Sequence, residues 1–195
     1  MFFTKLKIYF LFWFNEINDF IYDSKNLTAN LIQTFSFEPN QKIKHNKADS
    51  DTVFKLYGLN KWANENDNDL VIHIHFNDYP RKNKKVAGKY QGYSVYIPEK
   101  QLPNHIESQK FAEIVSEEMS KYFSSSNLKI EEGVIMESQE LIAVGANNTL
   151  SVPSVLIEYS YIYEDFLQSE NEKDLAMKNM VLATKTAIEK YFKLI

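Results

Sequence analysis

The chain has 195 residues, no cysteine and a formal net charge of −4, with 44% hydrophobic and 25% charged residues. This length and mixture are typical of one globular domain with its own core, and they exclude an intrinsically disordered chain. Because there is no cysteine, disulfides and thiolate metal ligands are excluded. Because there is no excess of basic residues, nucleic-acid binding is not expected.

The N-terminal segment combines lysines with apolar and aromatic residues. Its longest wholly apolar run, Ile8 to Phe14, is too short to span a bilayer as a helix. Lys5 and Lys7 resemble the start of a signal peptide, but no small-residue cleavage site follows the apolar run. We therefore interpret residues 5–22 as an aromatic-rich helix packed on the body of the protein. A start codon placed inside a longer gene would leave the same appearance.

The middle of the chain alternates predicted helices and strands, after a polar stretch that we interpret as loop. Apolar residues at helical spacing predict a helix over residues 50–66. The run from Asp69 to Phe76 is β-branched and almost continuously apolar, as strands buried on both faces are. Residues 92–97 predict a second strand, which Pro98 ends, and residues 103–123 predict a helix.

The C-terminal part continues the alternation. A short strand is predicted near residues 141–144, and a longer one over residues 155–159, after Pro153. The last predicted helix covers residues 172–192. Its predicted buried side consists of Met177, Met180, Val181, Thr184, Ile188 and Phe192. The alternation predicts a single α/β domain with a central, mostly parallel sheet flanked by helices.

Two histidines lie inside the first predicted strand. Because side chains alternate along a strand, His73 and His75 share one face of the sheet. Histidine is the commonest metal ligand near neutral pH. Taken alone, however, a His-x-His pattern occurs more often in surface or core histidines than in metal sites.

Glu158 lies inside the apolar strand near the C-terminus. A carboxylate in such a strand is costly to bury without a partner. In open α/β sheets, ligands bind at the carboxyl ends of the strands. The pattern therefore leaves two alternatives open, a paired structural glutamate and a functional one that faces a cleft.

Both strands carry a resemblance to a known family. Residues 69–77, DLVIHIHFN, resemble the "DLFISIHAN" segment of the zinc-dependent N-acetylmuramoyl-L-alanine amidases (amidase type 3). His75 matches the family's third zinc ligand, and His73 replaces the usual serine. Residues 152–162, VPSVLIEYSYI, resemble "MPAVLVEIGFIS", and Glu158 matches the catalytic glutamate. Gly92 to Tyr96 resemble the family's "G-x-x-V-Y" strand.

The resemblance implies a chemistry and a location. Family members hold a zinc ion whose bound water attacks the amide bond between N-acetylmuramic acid and L-alanine in peptidoglycan. Glu158 would be the general base and His75 a zinc ligand. A phosphorylase/hydrolase-like α/β fold is implied, and a place at the cell envelope or outside the cell. Because the sequence shows no signal-peptide cleavage site, a cytoplasmic location also stays open.

The N-terminal part departs from the family pattern. The family's first zinc ligand lies in a Gly-His-Gly type loop after the first strand, and a glutamate ligand follows soon after. Here no glycine precedes Gly58 and no histidine precedes His45. Glu16 and Glu38 lie upstream in surroundings that do not match. We therefore expect residues 50–195 to form the amidase-like part, residues 1–49 to be unmatched, and the region of the first strand to be missing.

Three explanations of this departure are open, in order of preference. In the first, the chain is a fragment or a mis-started version of an active amidase. In the second, it is a degenerate, non-catalytic relative that binds peptidoglycan. In the third, His45 and His73 complete a rearranged site with His75. In each case zinc binding by the matched residues alone is expected to be weak or absent.

The resemblance also predicts a geometry. His75 and Glu158 are expected on neighbouring strands at one edge of the sheet, converging on a cleft that is open on one side. His73 is expected to point to the same face, about 7 Å further back along the strand. For the basic residues from Arg81 to Lys89, a solvated loop is favoured over a contact with anionic wall polymers.

Overall fold

The structure, a computed structural model, describes residues 8–12, 50–66, 68–138, 140–145 and 150–194. A five-stranded sheet forms its centre. The strands are β1 (Ile8–Phe12), β2 (Leu70–Asn77), β3 (Ser94–Ile97), β4 (Ile135–Glu137) and β5 (Ser154–Tyr161). The helices are α1 (Ser50–Glu65), α2 (His105–Met119), α3 (Asp165–Gln168) and α4 (Glu170–Leu194). Two short 3-10 helices cover Lys129–Glu131 and Ile142–Val144.

The strand order is β1-β2-β5-β3-β4. The first three strands in this order run parallel, β3 is antiparallel to β5, and β4 is parallel to β3. The predicted α/β class with a mostly parallel sheet is confirmed. The antiparallel pairing of β3 could not be predicted from its own sequence, because four residues of a strand carry no signal of direction.

The main core lies on one face of the sheet. Leu70, Ile72, Val155 and Ile157 are fully buried there, together with residues of α2 and α4. Alternate residues of the same strands point to the opposite face, where Val71 packs with α1. This alternation places His73, His75 and Glu158 on the face opposite to the main core.

Three expectations from the sequence are corrected here. Residues 8–12, predicted as part of a helix over 5–22, form β1, and the strand expected to be missing from the edge beside β2 is therefore present. Isoleucine and aromatic residues suit a strand, and β1 satisfies the backbone groups on the open side of β2. The segment 141–144 was predicted as a strand, but Ile142–Val144 form a 3-10 helix.

A buried carboxylate joins the two helices that cover the main core. Glu118 of α2 is 3% exposed and accepts hydrogen bonds from the ammonium groups of Lys121, at 2.6 Å, and of Lys190 in α4, at 2.7 Å. These two cations lower the pKa of Glu118.

Among the described residues, no helix is long and apolar enough to cross a membrane.

Glu118→Gln is expected to lower the free energy of unfolding at pH 7 by about 1–2 kcal/mol, because both lysine ends are solvated. A carboxylate whose pKa is lower in the folded state stabilises above its unfolded pKa, and this contribution is lost as pH falls through the folded value. The difference between variant and wild type should therefore shrink below about pH 4. Urea denaturation at pH 7 and pH 3.5 measures both. An equal difference at the two pH values would contradict this account.

Candidate functional site

The two residues singled out by the sequence lie side by side. His75 of β2 is the register partner of Glu158 of β5, and both strands run parallel. The register then shifts, so that Asn77 pairs with Tyr161. Such a bulge re-aims side chains near functional sites. The predicted placement of His75 and Glu158 on neighbouring strands is confirmed, whereas the bulge carried no sequence signal.

A cavity of about 450 Å³ opens on this face of the sheet. The sheet contributes four lining residues, and α1 and the segment before Gly145 contribute the rest. The lining residues are Thr52, Leu56, His75, Tyr96, Ser138, Glu140, Leu141, Ile142, Ala143, Leu156 and Glu158. His75 and Glu158 therefore share one cavity, as predicted.

Long-range hydrogen bonds hold the irregular wall of the cavity in place. Asn60 of α1 donates to the carbonyl of Ile142 at 2.6 Å. The Asn104 amide donates to the carbonyls of Val144, at 3.2 Å, and Val152, at 3.0 Å. Because these partners are 40 to 82 residues apart, the wall is a tertiary feature and not a local one.

Several buried polar atoms on this face lack a hydrogen-bond partner among the described residues. They are Nε2 of His73, Oγ of Ser94 and Oε2 of Glu158. Ser94 is the register partner of Glu158 on β3, so the two side chains point to the same face. Buried polar groups are nearly always paired, and a group of orphaned ones indicates a place where water, an ion or a polar ligand binds.

Burial and a second carboxylate make Glu158 basic. Burial raises the pKa of Glu158 to about 8, and the charge of Glu131 adds to the rise. Glu131 is itself 1% exposed and accepts hydrogen bonds from Tyr96, at 2.7 Å, and Tyr161, at 3.3 Å. A carboxyl group with a pKa near neutrality has the proton affinity that general acid–base catalysis requires.

The two histidines differ in their exposure. His75 is partly exposed, and burial lowers its pKa to about 4, so its ring is neutral at pH 7 and one ring nitrogen has a lone pair for a metal. His73 is 2% exposed, and its ring centroid lies 6.4 Å from that of His75. Burial, with repulsion from His75, lowers the pKa of His73 to about 3. His73 lies behind the cavity, as expected.

The ligand set for zinc is incomplete in the part of the chain that the structure describes. A catalytic zinc ion usually takes three protein ligands and a water. No three His, Asp or Glu side chains in residues 50–66, 68–138, 140–145 and 150–194 could hold a metal ion. Of the other candidates, Glu16, Glu38 and His45 lie outside the described residues. The described residues alone thus do not fit a catalytic zinc site.

Other lining residues were not identified from the sequence. Tyr96 was noted only as part of a strand motif, and it proves to lie against the cavity with its hydroxyl held by Glu131. Glu140 and Ser138 come from a segment without regular pattern, and Thr52 opens a helix as one polar residue among several. Among these, only the strand motif around Tyr96 offered a signal.

The fold and the position of the cavity define a class: an α/β protein whose site lies near the carboxyl ends of two adjacent parallel strands. A sequence model of the N-acetylmuramoyl-L-alanine amidases matches residues 24–190. The chain belongs to the N-acetylmuramoyl-L-alanine amidase family. The match begins N-terminal to the boundary at residue 50 that the sequence suggested. A search of curated protein sequences finds no match.

Solved structures of amidases share the fold. The amidase Ami1 of Mycobacterium smegmatis superposes with a TM-score of 0.59 at 15% identity, over 72% of this chain and 61% of that one. Ami1 of Mycobacterium abscessus gives 0.56 at 17% identity, over 85% and 74%. An N-acetylmuramoyl-L-alanine amidase from Clostridium difficile 630 gives 0.51 at 16% identity, over 95% and 98%. The chain thus spans less than two thirds of the first of these proteins.

Proposed function

We propose that this protein is a peptidoglycan hydrolase that cleaves the amide bond between N-acetylmuramic acid and L-alanine of the stem peptide. The observation that carries the proposal is the pairing of His75 and Glu158 on adjacent strands at one cavity, in a chain of this family. The proposal implies work at the cell envelope or outside the cell, with peptidoglycan as the partner.

Glu158 would act as general base. Its carboxylate takes a proton from a water molecule as the water oxygen attacks the amide carbon. The carbon–nitrogen bond then breaks, and Glu158 returns the proton to the leaving amine of L-alanine. The products are the lactyl carboxylate of the sugar and a free stem peptide. The orphaned Oε2 atom of Glu158 has the free lone pairs that this step needs.

The family resemblance assigns a zinc ion to this reaction, with His75 as one ligand. A bound zinc ion would supply Lewis acidity, and its remaining ligands would have to come from outside the described residues. His75 is suited to such a role because its ring is neutral and lies beside Glu158.

A second candidate function is non-catalytic binding of peptidoglycan by a degenerate relative. The observation that favours it is the incomplete ligand set among the described residues. Both candidates use the same cavity, but only the first one releases product.

Purified cell walls distinguish the two. The full chain is incubated with walls and about 10–100 µM added zinc. These concentrations match the dissociation constants of weak metal sites, which correspond to binding free energies of about 5–7 kcal/mol. Release of stem peptides with a new N-terminal alanine supports the hydrolase. Co-sedimentation with walls and no release supports the binding protein. If the protein neither releases peptides nor co-sediments with walls, both candidate functions are contradicted.

His75→Ala is expected to abolish the zinc that the full chain takes up, because loss of one ligand of a few weakens a metal site by orders of magnitude. Equilibrium dialysis against a buffer that contains zinc, with the metal on both sides of the membrane measured by mass spectrometry, checks this. The matched control is His105→Gln, since His105 is a buried histidine outside the cavity, bonded to the carbonyl of Pro98 at 2.8 Å. If His75→Ala and wild type bound the same amount of zinc, His75 would not be a ligand of the metal.

A further inference from the structure

The loop that follows β2 is unlike the rest of the surface. It covers residues 78–91, here called the lysine loop, and begins at the carboxyl end of β2, three residues after His75. It therefore leaves the sheet at the edge toward which the cavity residues of β2 and β5 lie. The loop carries five basic residues and one carboxylate, a net charge of +4, whereas the whole chain carries −4.

Arg81 folds this loop onto itself. Its guanidinium bonds the carboxylate of Asp78 at 2.8 Å and the carbonyls of Lys84, at 3.0 Å, and Val86, at 2.9 Å. It also lies 4.5 Å above the ring of Tyr163, and its side chain is 11% exposed. Contacts within the protein therefore occupy the guanidinium group, and they fix the shape of the loop.

A glycine gives the loop a second attachment. Gly88 packs so closely on the ring of Tyr163 that a Cβ atom would overlap it. Asn127 accepts a hydrogen bond from the backbone of Gln91 at 3.0 Å. The loop has no regular secondary structure, but both of its ends are fastened to the body of the protein.

The lysines of the loop remain available. Lys82, Lys84 and Lys85 are exposed, and none forms an ion pair with another described residue. Lys89 lies over the ring of Tyr90 at 4.7 Å. A fixed backbone thus presents three free ammonium groups within four positions, in a loop that begins where β2 ends.

We propose that the lysine loop is a binding surface for a linear polyanion. Lysine ammonium groups are point charges that attract anions without selecting one planar group, and the arginine that could select one is occupied. Three such charges close together favour a partner whose negative charges repeat along a chain. A single carboxylate or phosphate would leave most of them unused.

The polyanion is a polymer of the cell wall, and this choice of partner rests on the proposed function. We take the occupant to be a phosphate-containing polymer attached to the wall, because its charges repeat along one chain as the lysines of the loop do. A polymer held at the lysine loop would keep the cavity close to the amide bonds and raise the local substrate concentration. Anionic membranes are an alternative partner that the test separates.

The test compares two variants of the full chain with the same change in charge. One replaces Lys82, Lys84 and Lys85 with glutamine, and the control replaces Lys100, Lys173 and Lys178, which are also exposed and unpaired among the described residues. Binding is measured by co-sedimentation with intact walls, with walls stripped of phosphate by hydrofluoric acid, and with phosphatidylglycerol vesicles. Each is repeated from 50 to 500 mM NaCl.

The loop variant is expected to bind intact walls about tenfold more weakly at 50 mM NaCl and to lose most of the salt dependence. The control variant should bind like wild type. Loss of wild-type binding on stripped walls supports the phosphate polymer. Undiminished binding to stripped walls would assign the loop to the stem-peptide carboxylates and would overturn this choice of partner. Equal binding by both variants, equal losses in both, or binding only to vesicles would overturn the proposal. Peptide release from stripped walls, measured in parallel, reports separately on the proposed hydrolase.

Discussion

Glu158→Gln is expected to lower the rate of stem-peptide release by about 10²- to 10⁴-fold, the usual contribution of a general base. Glutamine has nearly the same shape, but its amide cannot take the proton of the attacking water. The fold should tolerate the change, because burial already disfavours the charged form of Glu158 and raises its pKa to about 8. Thermal unfolding of the variant tests this independently.

The matched control for this variant is Glu140→Gln. Glu140 lines the same cavity but is exposed to solvent. Its loss should change the rate by no more than about threefold, as exposed substitutions usually do. If both variants were equally slow, the charge of the cavity as a whole would matter, and Glu158 would have no special role. If neither were slow, Glu158 would not be the base.

Glu131→Ala is expected to lower the free energy of unfolding by about 2–4 kcal/mol, because the hydroxyls of Tyr96 and Tyr161 lose the buried carboxylate that accepts from them and a cavity remains. Burial and the charge of Glu131 both raise the pKa of Tyr96, so its phenol keeps the proton that it donates. Glu131→Gln keeps a carbonyl acceptor and should cost about half as much. Urea denaturation at pH 7 measures the two differences.

A result in which both Glu131 variants are as stable as wild type would contradict this account of the buried network. The network also affects the site, since Tyr96 forms part of the cavity wall. A destabilised Glu131→Ala protein should therefore also bind walls less tightly. Glu131→Gln should bind like wild type, because it preserves the position of Tyr96.

The pairing of the two best strands was predictable from the sequence. The segments around His75 and Glu158 are continuously apolar apart from those residues and their near neighbours, which is typical of central parallel strands. Their two polar anomalies lie near the strand ends, and parallel strands place these ends together. The same reasoning could not predict that Glu131 lies buried near Glu158, or that a turn follows Glu131. There, Val134 adopts a φ of 70°, which no sequence rule assigns to valine.

The phase of the last helix was predicted only in part. Met180, Thr184 and Ile188 are buried as predicted, but Met177 is 40% exposed and Val181 is 64% exposed. Their places in the core are taken by smaller residues, Ala176, Ala183 and Ala187. Alanine allows the helix to lie close to its neighbours, but its hydropathy gives little periodic signal. Packing against the neighbouring elements therefore determines which face of this helix is buried.

The wall of the cavity shows why the site was only half predictable. His75 and Glu158 lie on strands with strong local signals, whereas Glu140 and Ser138 come from an irregular segment. That segment is held by Asn60 and Asn104, each far away in the chain. Local patterns cannot predict such contacts, because their energy appears only after the sheet and helices have assembled.

The most direct test of the proposed hydrolysis follows one oxygen atom. The full chain is incubated with added zinc and a muramoyl dipeptide in water enriched in ¹⁸O, and the sugar product is analysed by mass spectrometry. We predict a free stem peptide and one ¹⁸O atom in the lactyl carboxylate of the muramic acid, with both signals lost in Glu158→Gln. Intact substrate under all conditions, or the same product at an unchanged rate in Glu158→Gln, would contradict the account.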